Sequence, residues 1–148
     1  MIRIQTEDFD VAALNAELRA TAGGKAGAMV TFTGYVRDQA DGTATESLFL
    51  EHYPGMTERA ISAIMDQACA RWSLADVLVI HRYGRLLADE PIMMVATAAP
   101  HRADAFSAAE FLMDYLKSRA PFWKKEITAS GADWVAAKDD DEAALQRW

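Results

Sequence analysis

Residues 76 to 99 constrain the fold more than any other stretch. Asp76 to Arg82 and Pro91 to Ala99 are β-branched or apolar runs, separated only by the Gly84 to Glu90 connection. A parallel crossover takes roughly a dozen residues or more, so this short link favours antiparallel pairing of the two strands. Pro100 then breaks the second strand. Beyond it, residues 103 to 118 carry Ala105, Phe106, Ala109, Leu112, Met113 and Leu116 at helical spacing, a stripe that predicts the clearest helix of the chain. Pro121 closes that helix.

The other segments fit around this centre. Ile2 to Gln5 reads as a short strand, and Asp10 can cap a helix that carries Val11, Leu14 and Leu18 on one face until Gly23-Gly24 ends it. From Ala28 to Arg37 the residues alternate, with Val30, Phe32, Gly34 and Val36 on one side and Thr31, Thr33, Tyr35 and Arg37 on the other. Such alternation predicts a half-buried strand. Asp38 to Thr43, which includes Asp41-Gly42, is a loop or turn into a strand from Glu46 to Tyr53, stopped by Pro54-Gly55. Ala60, Ile61, Ile64, Met65, Ala68 and Trp72 predict an amphipathic helix over residues 57 to 72. Trp123 to Thr128 and Trp134 to Lys138 form a last hairpin around Ser130-Gly131, and an acidic run from Asp139 to Glu142 leads into a short helical or frayed tail. This order is not a strict alternation of strand and helix. It predicts an α+β fold with a mainly antiparallel sheet. With 148 residues, 51% of them hydrophobic, and no repeat or composition shift, residues 1–148 are expected to form a single domain.

Charge and cysteine usage remove several function classes. The balance is 15 − 22 = −7, which disfavours a surface that tracks nucleic-acid phosphates. No stretch stays apolar long enough to cross a bilayer and none resembles a signal peptide, so the expected location is the cytoplasm. Cys69 is the only cysteine, and His52, His81 and His101 show no metal-ligand spacing with it or with each other, so neither a disulfide nor a metal site is expected. Its spacing from Ile61 and Met65 places Cys69 on the apolar helix face, where it reads as a buried packing residue. His52 and His81 fall within strands and read as structural.

Against this acidic background stands a basic island. His101 and Arg102 open the long helix, Lys117 and Arg119 end it, and Lys124 and Lys125 follow a rigid Pro121 and the aromatic pair Phe122-Trp123. Cations beside aromatic rims suit a flat, phosphate-bearing ligand. Two ammonium groups held close together would disfavour each other's charge, leaving one amine free to act as nucleophile or base. The competing reading is that Lys117 and Arg119 complement the helix dipole and the rest are solvated surface charges. Arg37, at the end of its strand on the polar face, can reach a ligand or pair with an acid.

Several ordered motifs carry a resemblance to a known family. Val30-Thr31-Phe32-Thr33-Gly34 with Val36-Arg37, Leu50 through Met56, Ile80-His81-Arg82, His101-Arg102 with Ala105-Phe106, and Asp114 through Glu126 together resemble the large, catalytic subunit of molybdopterin synthase over nearly the whole chain. The resemblance implies an α/β-hammerhead-like fold and a homodimer, each protomer binding a small ubiquitin-like sulfur carrier that ends in Gly-Gly. It implies a sulfurtransferase without a cofactor, in which the carrier's C-terminal thiocarboxylate passes sulfur to cyclic pyranopterin monophosphate to build a dithiolene. Lys117 matches the family's principal catalytic lysine and Lys124 the second. Arg37, His101 and Arg102 match substrate-binding positions served by both protomers, and Lys125 and Glu126 complete the motif. Tyr35 stands where some relatives carry a basic residue. A non-catalytic module that holds a phosphorylated metabolite or a peptide tail is the alternative use of the same cations.

Overall fold

The computed structural model describes residues 1–40, 43–136 and 139–148. The chain runs β1 (Ile2–Gln5), α1 (Val11–Ala22), β2 (Ala28–Tyr35), β3 (Gln39–Ala40), β4 (Thr43–His52), α2 (Met56–Arg71), β5 (Asp76–Arg82), β6 (Gly84–Leu87), β7 (Pro91–Ala99), α3 (Arg102–Arg119), β8 (Phe122–Thr128), β9 (Gly131–Val135) and α4 (Asp139–Ala144). The fold is α+β, and among the described residues the strands pair antiparallel except where β1 lies parallel to β5.

The first sheet has the order β1-β5-β7-β2. As the short connection predicts, β5 and β7 pair antiparallel, Val79 opposite Val95. Both faces of this pair are covered, which explains the near-continuous apolar runs. Leu78, Ile80, Met94, Ala96 and Ala98 meet Leu14, Leu18 and Ala22 of α1 on one face. Val77, Val79, Met93 and Val95 meet Ile61, Ile64 and Ala68 of α2 and Phe111, Leu112 and Leu116 of α3 on the other. Asp10 caps α1, its Oδ1 accepting from the N–H groups of Ala12 and Ala13 at 2.8 and 3.0 Å. At the start of α2 the Gly55 N–H donates to Glu58 Oε2 at 2.6 Å.

The second sheet is built on β4, which pairs with β3, β6 and β8, and β8 in turn pairs with β9. Val36, Leu48, Leu50 and Leu86 form a small core beneath it. Strand β6 lies inside the segment read from sequence as a plain connection. Gly84, at φ 85°, turns the chain sharply off β5 so that Gly84 to Leu87 pair with β4 instead. The expected Asp41-Gly42 turn and the extension of the last strand through Lys138 lie outside the described residues.

Two helix residues expected in the core face outward. Along α2 the buried line is Thr57, Ile61, Ile64 and Ala68. At about 100° per residue, Cys69 sits roughly 110° from the middle of that line, and it is exposed rather than buried. In α3 the buried set is Ala105, Ala108, Ala109, Phe111, Leu112, Met113 and Leu116. The helix touches both the sheet and α2, so its buried arc widens toward Phe111, and Phe106 falls beyond the opposite edge with 62% of its surface exposed.

Candidate active site

Two concave regions hold most of the residues that the sequence singles out. One is a cavity of about 40 Å³ lined by Tyr35, Val36, Arg37, Thr45, Leu48, Ile92, Lys124 and Glu126. Arg37 reaches it because the chain leaves β2 just after a bulge at Gly34/Tyr35 and is pinned there, the Val36 N–H donating to Glu90 O and the Asp89 N–H donating to Val36 O, both at 2.9 Å. Lys124 and Glu126 are two residues apart on β8 and therefore share a face. Their Nζ and Oε1 atoms are 3.5 Å apart. Lys125, between them, turns to the opposite face, where its ammonium lies 5.5 Å from the Trp134 ring centroid. The cavity is thus lined by an arginine, a lysine, a glutamate and a threonine.

The other region is an open groove of about 600 Å³ between β2 and α3, lined by Val30, Thr31, Phe32, Phe106, Ala109, Glu110, Met113, Asp114, Lys117 and Asp141. Lys117 occupies the last turn of α3, its Nζ 3.7 Å from Asp141 Oδ1. Arg119 pairs with Glu142, whose hydrogen bond raises the guanidinium pKa and lowers that of the carboxylate. In this way the acidic tail lies against the basic end of α3.

Of the expected cluster, one chain therefore brings together Arg37, Lys124 and Glu126. Lys117 lines the groove, which shares none of its lining residues with the cavity. His101 and Arg102 are exposed at the other end of α3. Arg102 and Lys117 are fifteen residues apart on one helix, about 22 Å along its axis, too far for both to hold one small group within the same chain. Among the described residues, no three His, Cys, Asp or Glu side chains gather as metal ligands.

Thr45 is the cavity residue that sequence reasoning missed. It falls between the expected loop, which ends at Thr43, and the expected strand, which starts at Glu46. A bulge between Thr45 and Ser47 then shifts the register against β8, so strict alternation could not place it. His52 and His81 both pack against aromatic rings, His52 against Tyr83 and both against Phe122. The His81 ring is buried and stacked on Phe122, 3.7 Å between centroids at 15°, and its Nδ1 lies 2.7 Å from Arg82 O. Burial pushes its pKa down to about 4. The stack secures the start of β8, two residues before Lys124.

Arg37, Lys124 and Glu126 line one small cavity of a layered α+β chain, beside a larger groove edged by another lysine, and cations gathered in this way suit small anionic groups. Residues 4–119 match the family model described as MoaE protein, and the chain belongs to that family. It is 65% identical over 147 residues to the "Molybdopterin synthase catalytic subunit" of Cereibacter sphaeroides, covering 99% of each chain. It is 50% identical over 148 residues to the protein of that name from Vibrio cholerae, covering 99% of this chain and 97% of the relative. Among solved structures, the molybdopterin biosynthesis MoaE protein from Burkholderia ambifaria superposes with a TM-score of 0.85 at 53% identity, covering 100% of this chain and 97% of that one. Molybdopterin synthase from Staphylococcus aureus gives 0.83 at 32% identity, covering 90% and 96%.

Proposed function

We propose that this chain is the catalytic subunit of a molybdopterin synthase and works in the cytoplasm. It takes sulfur from the C-terminal thiocarboxylate of a small ubiquitin-like carrier and places it on cyclic pyranopterin monophosphate to form the dithiolene. The observation that carries this reading is the convergence of Arg37 and Lys124, distant in sequence, on one cavity in a chain of this family. Anionic sulfur, carboxylate and phosphate groups are all stabilised by such paired cations.

Lys124 holds the charge that develops on the reacting carbonyl or thiolate, with Glu126 fixing its ammonium. Lys117 serves as nucleophile or general acid/base. Arg37 binds the precursor together with His101 and Arg102, and the helical separation of the last two from Lys117 is met by a homodimer in which they come from the second protomer. Lys125 adds to the local positive field from the other face of β8.

Incubating the protein with thiocarboxylated carrier and the cyclic precursor should give the dithiolene product, and Lys124→Ala should lower turnover by about two orders of magnitude. Lys117→Arg keeps the charge but not the amine chemistry. It should retain affinity for the precursor while losing turnover. A Lys117→Arg protein with unchanged turnover would reduce the site to anion binding.

A further inference from the structure

The proposed sulfur transfer leaves one chemical requirement that the cavity itself answers. When the thiocarboxylate sulfur bonds to a pterin carbon, the carrier's acyl carbon is still attached to that sulfur as a thioester. Release of the carrier breaks the acyl C–S bond, and the acyl carbon must gain an oxygen. We infer that Thr45, resting on that reading, holds the water molecule that supplies this oxygen, with Glu126 and Lys124 as its other partners.

Three observations converge on Thr45. Its side chain is buried, with 7% of the residue exposed, yet Oγ1 has no hydrogen-bond partner among the described residues. Its backbone N–H is used elsewhere, donating to Asp38 O at 2.8 Å. Buried hydroxyls are nearly always satisfied, by protein or by an ordered small molecule. The second observation is the bulge. Thr45 and Leu48 stand three apart in β4 and would face opposite sides of a regular strand, but the register shift between Thr45 and Ser47 lets both line the cavity. The third is size and composition. A cavity of about 40 Å³ is on the scale of one or two water molecules and excludes a pterin ring. A water there can accept from the Lys124 ammonium and donate to Glu126 and Thr45 Oγ1, completing a set of partners that no apolar occupant could satisfy.

The step balances. The water oxygen bonds to the acyl carbon, and the electron pair of the breaking C–S bond stays on sulfur, which remains on the pterin as a thiolate. The carrier departs as a carboxylate. Of the two protons, the Glu126 carboxylate takes the first and passes it to solvent, and the second leaves as the new carboxylic acid ionises. Thr45 and Glu126 hold the water on its line of attack, while Lys124 offsets the charge growing on the acyl oxygen.

The test uses the full chain with thiocarboxylated carrier and cyclic precursor, comparing wild type with Thr45→Val and Thr45→Ser. Thioester adducts are followed by intact mass and dithiolene by product formation. Thr45→Val should form the carrier–substrate thioester at the wild-type rate and hydrolyse it about tenfold or more slowly. Its KM for carrier should be unchanged and its Tm undiminished, because the hydroxyl lost makes no hydrogen bond to another described residue. Thr45→Ser, which keeps the hydroxyl, should turn over within about threefold of wild type. Should the valine chain not fold, Thr45→Ala takes its place in the same comparison. Normal thioester hydrolysis in the hydroxyl-free variants overturns the assignment, as does a fall in turnover without thioester build-up or a serine variant as slow as valine. A wild-type protein that makes no dithiolene at all instead overturns the sulfur-transfer reading beneath it.

Discussion

Acid should destabilise this protein through His81 in a way that one substitution isolates. The ring is enclosed against Phe122, and burial lowers its pKa from 6.5 to about 4. The folded state therefore binds the proton less readily than the unfolded chain. The neutral ring's contribution is fully present above pH 6.5 and is lost as pH falls toward and through the folded value. Between 6.5 and 4 the slope attributable to this residue approaches about 1.4 kcal/mol per pH unit. At pH 4.5 the loss reaches about 2.5 kcal/mol, a large share of the typical 5–15 kcal/mol of a folded domain. The perturbation is His81→Phe, which keeps an aromatic ring in the stack and removes the titrating group. The assay is urea unfolding at pH 7.5, 6.0, 5.0 and 4.5 for both proteins, each normalised to its own value at pH 7.5. Carboxylates titrate equally in the two, so the difference between the curves isolates the imidazole. Wild type should lose about 2.5 kcal/mol more than the variant by pH 4.5. Parallel curves would refute the reasoning, because they would mean that the folded ring accepts a proton as easily as the unfolded one.

Three further outcomes are expected. Phe111→Ala removes a fully buried ring that lies 5.3 Å from Trp72 and 5.5 Å from Trp148, and should cost about 3–5 kcal/mol, lowering Tm by about 10 °C in a differential scanning experiment. Cys69 is exposed, but partial burial and the neighbouring Asp66 raise its thiol pKa; a maleimide or disulfide reagent should therefore label the folded protein slowly near neutrality and much faster at alkaline pH. Mixing Lys124→Ala with Arg102→Ala, each nearly inactive alone, should restore measurable product, since a hybrid dimer holds one intact shared site; no recovery after verified subunit exchange would place both residues in one protomer's chemistry.

Much of the fold was legible because its signals are local. Asp10 before an apolar stripe, the two runs flanking Gly84 to Glu90, and the α3 periodicity each imply an element without reference to the rest of the chain. What escaped depends on distant partners. Gly84 to Leu87 is too short and too weakly patterned to declare itself, and becomes a strand only because β4 offers it hydrogen bonds. Cys69 and Phe106 were misplaced for a related reason, since a stripe in sequence gives the direction of a buried face but not its width, which the packing neighbours set. In the site, Arg37 and Lys124 announced themselves as cations near strand ends. That they meet, while Lys117 faces another groove, follows from the two-sheet arrangement and from no spacing along the chain.

The bulge in β4 has an evolutionary corollary. Side-chain facing in a strand flips with every residue added or removed, so deleting Glu46 would leave Thr45 and Leu48 two apart in a regular strand, on one face, with Thr45 still opposite Thr128. Loss of that one residue should accordingly be tolerated in active descendants of this chain, the strand closing up without its bulge. Point substitutions at the exposed Glu46 should pass freely too, so that selection at this spot reads the face Thr45 presents more strictly than the number of residues leading to it.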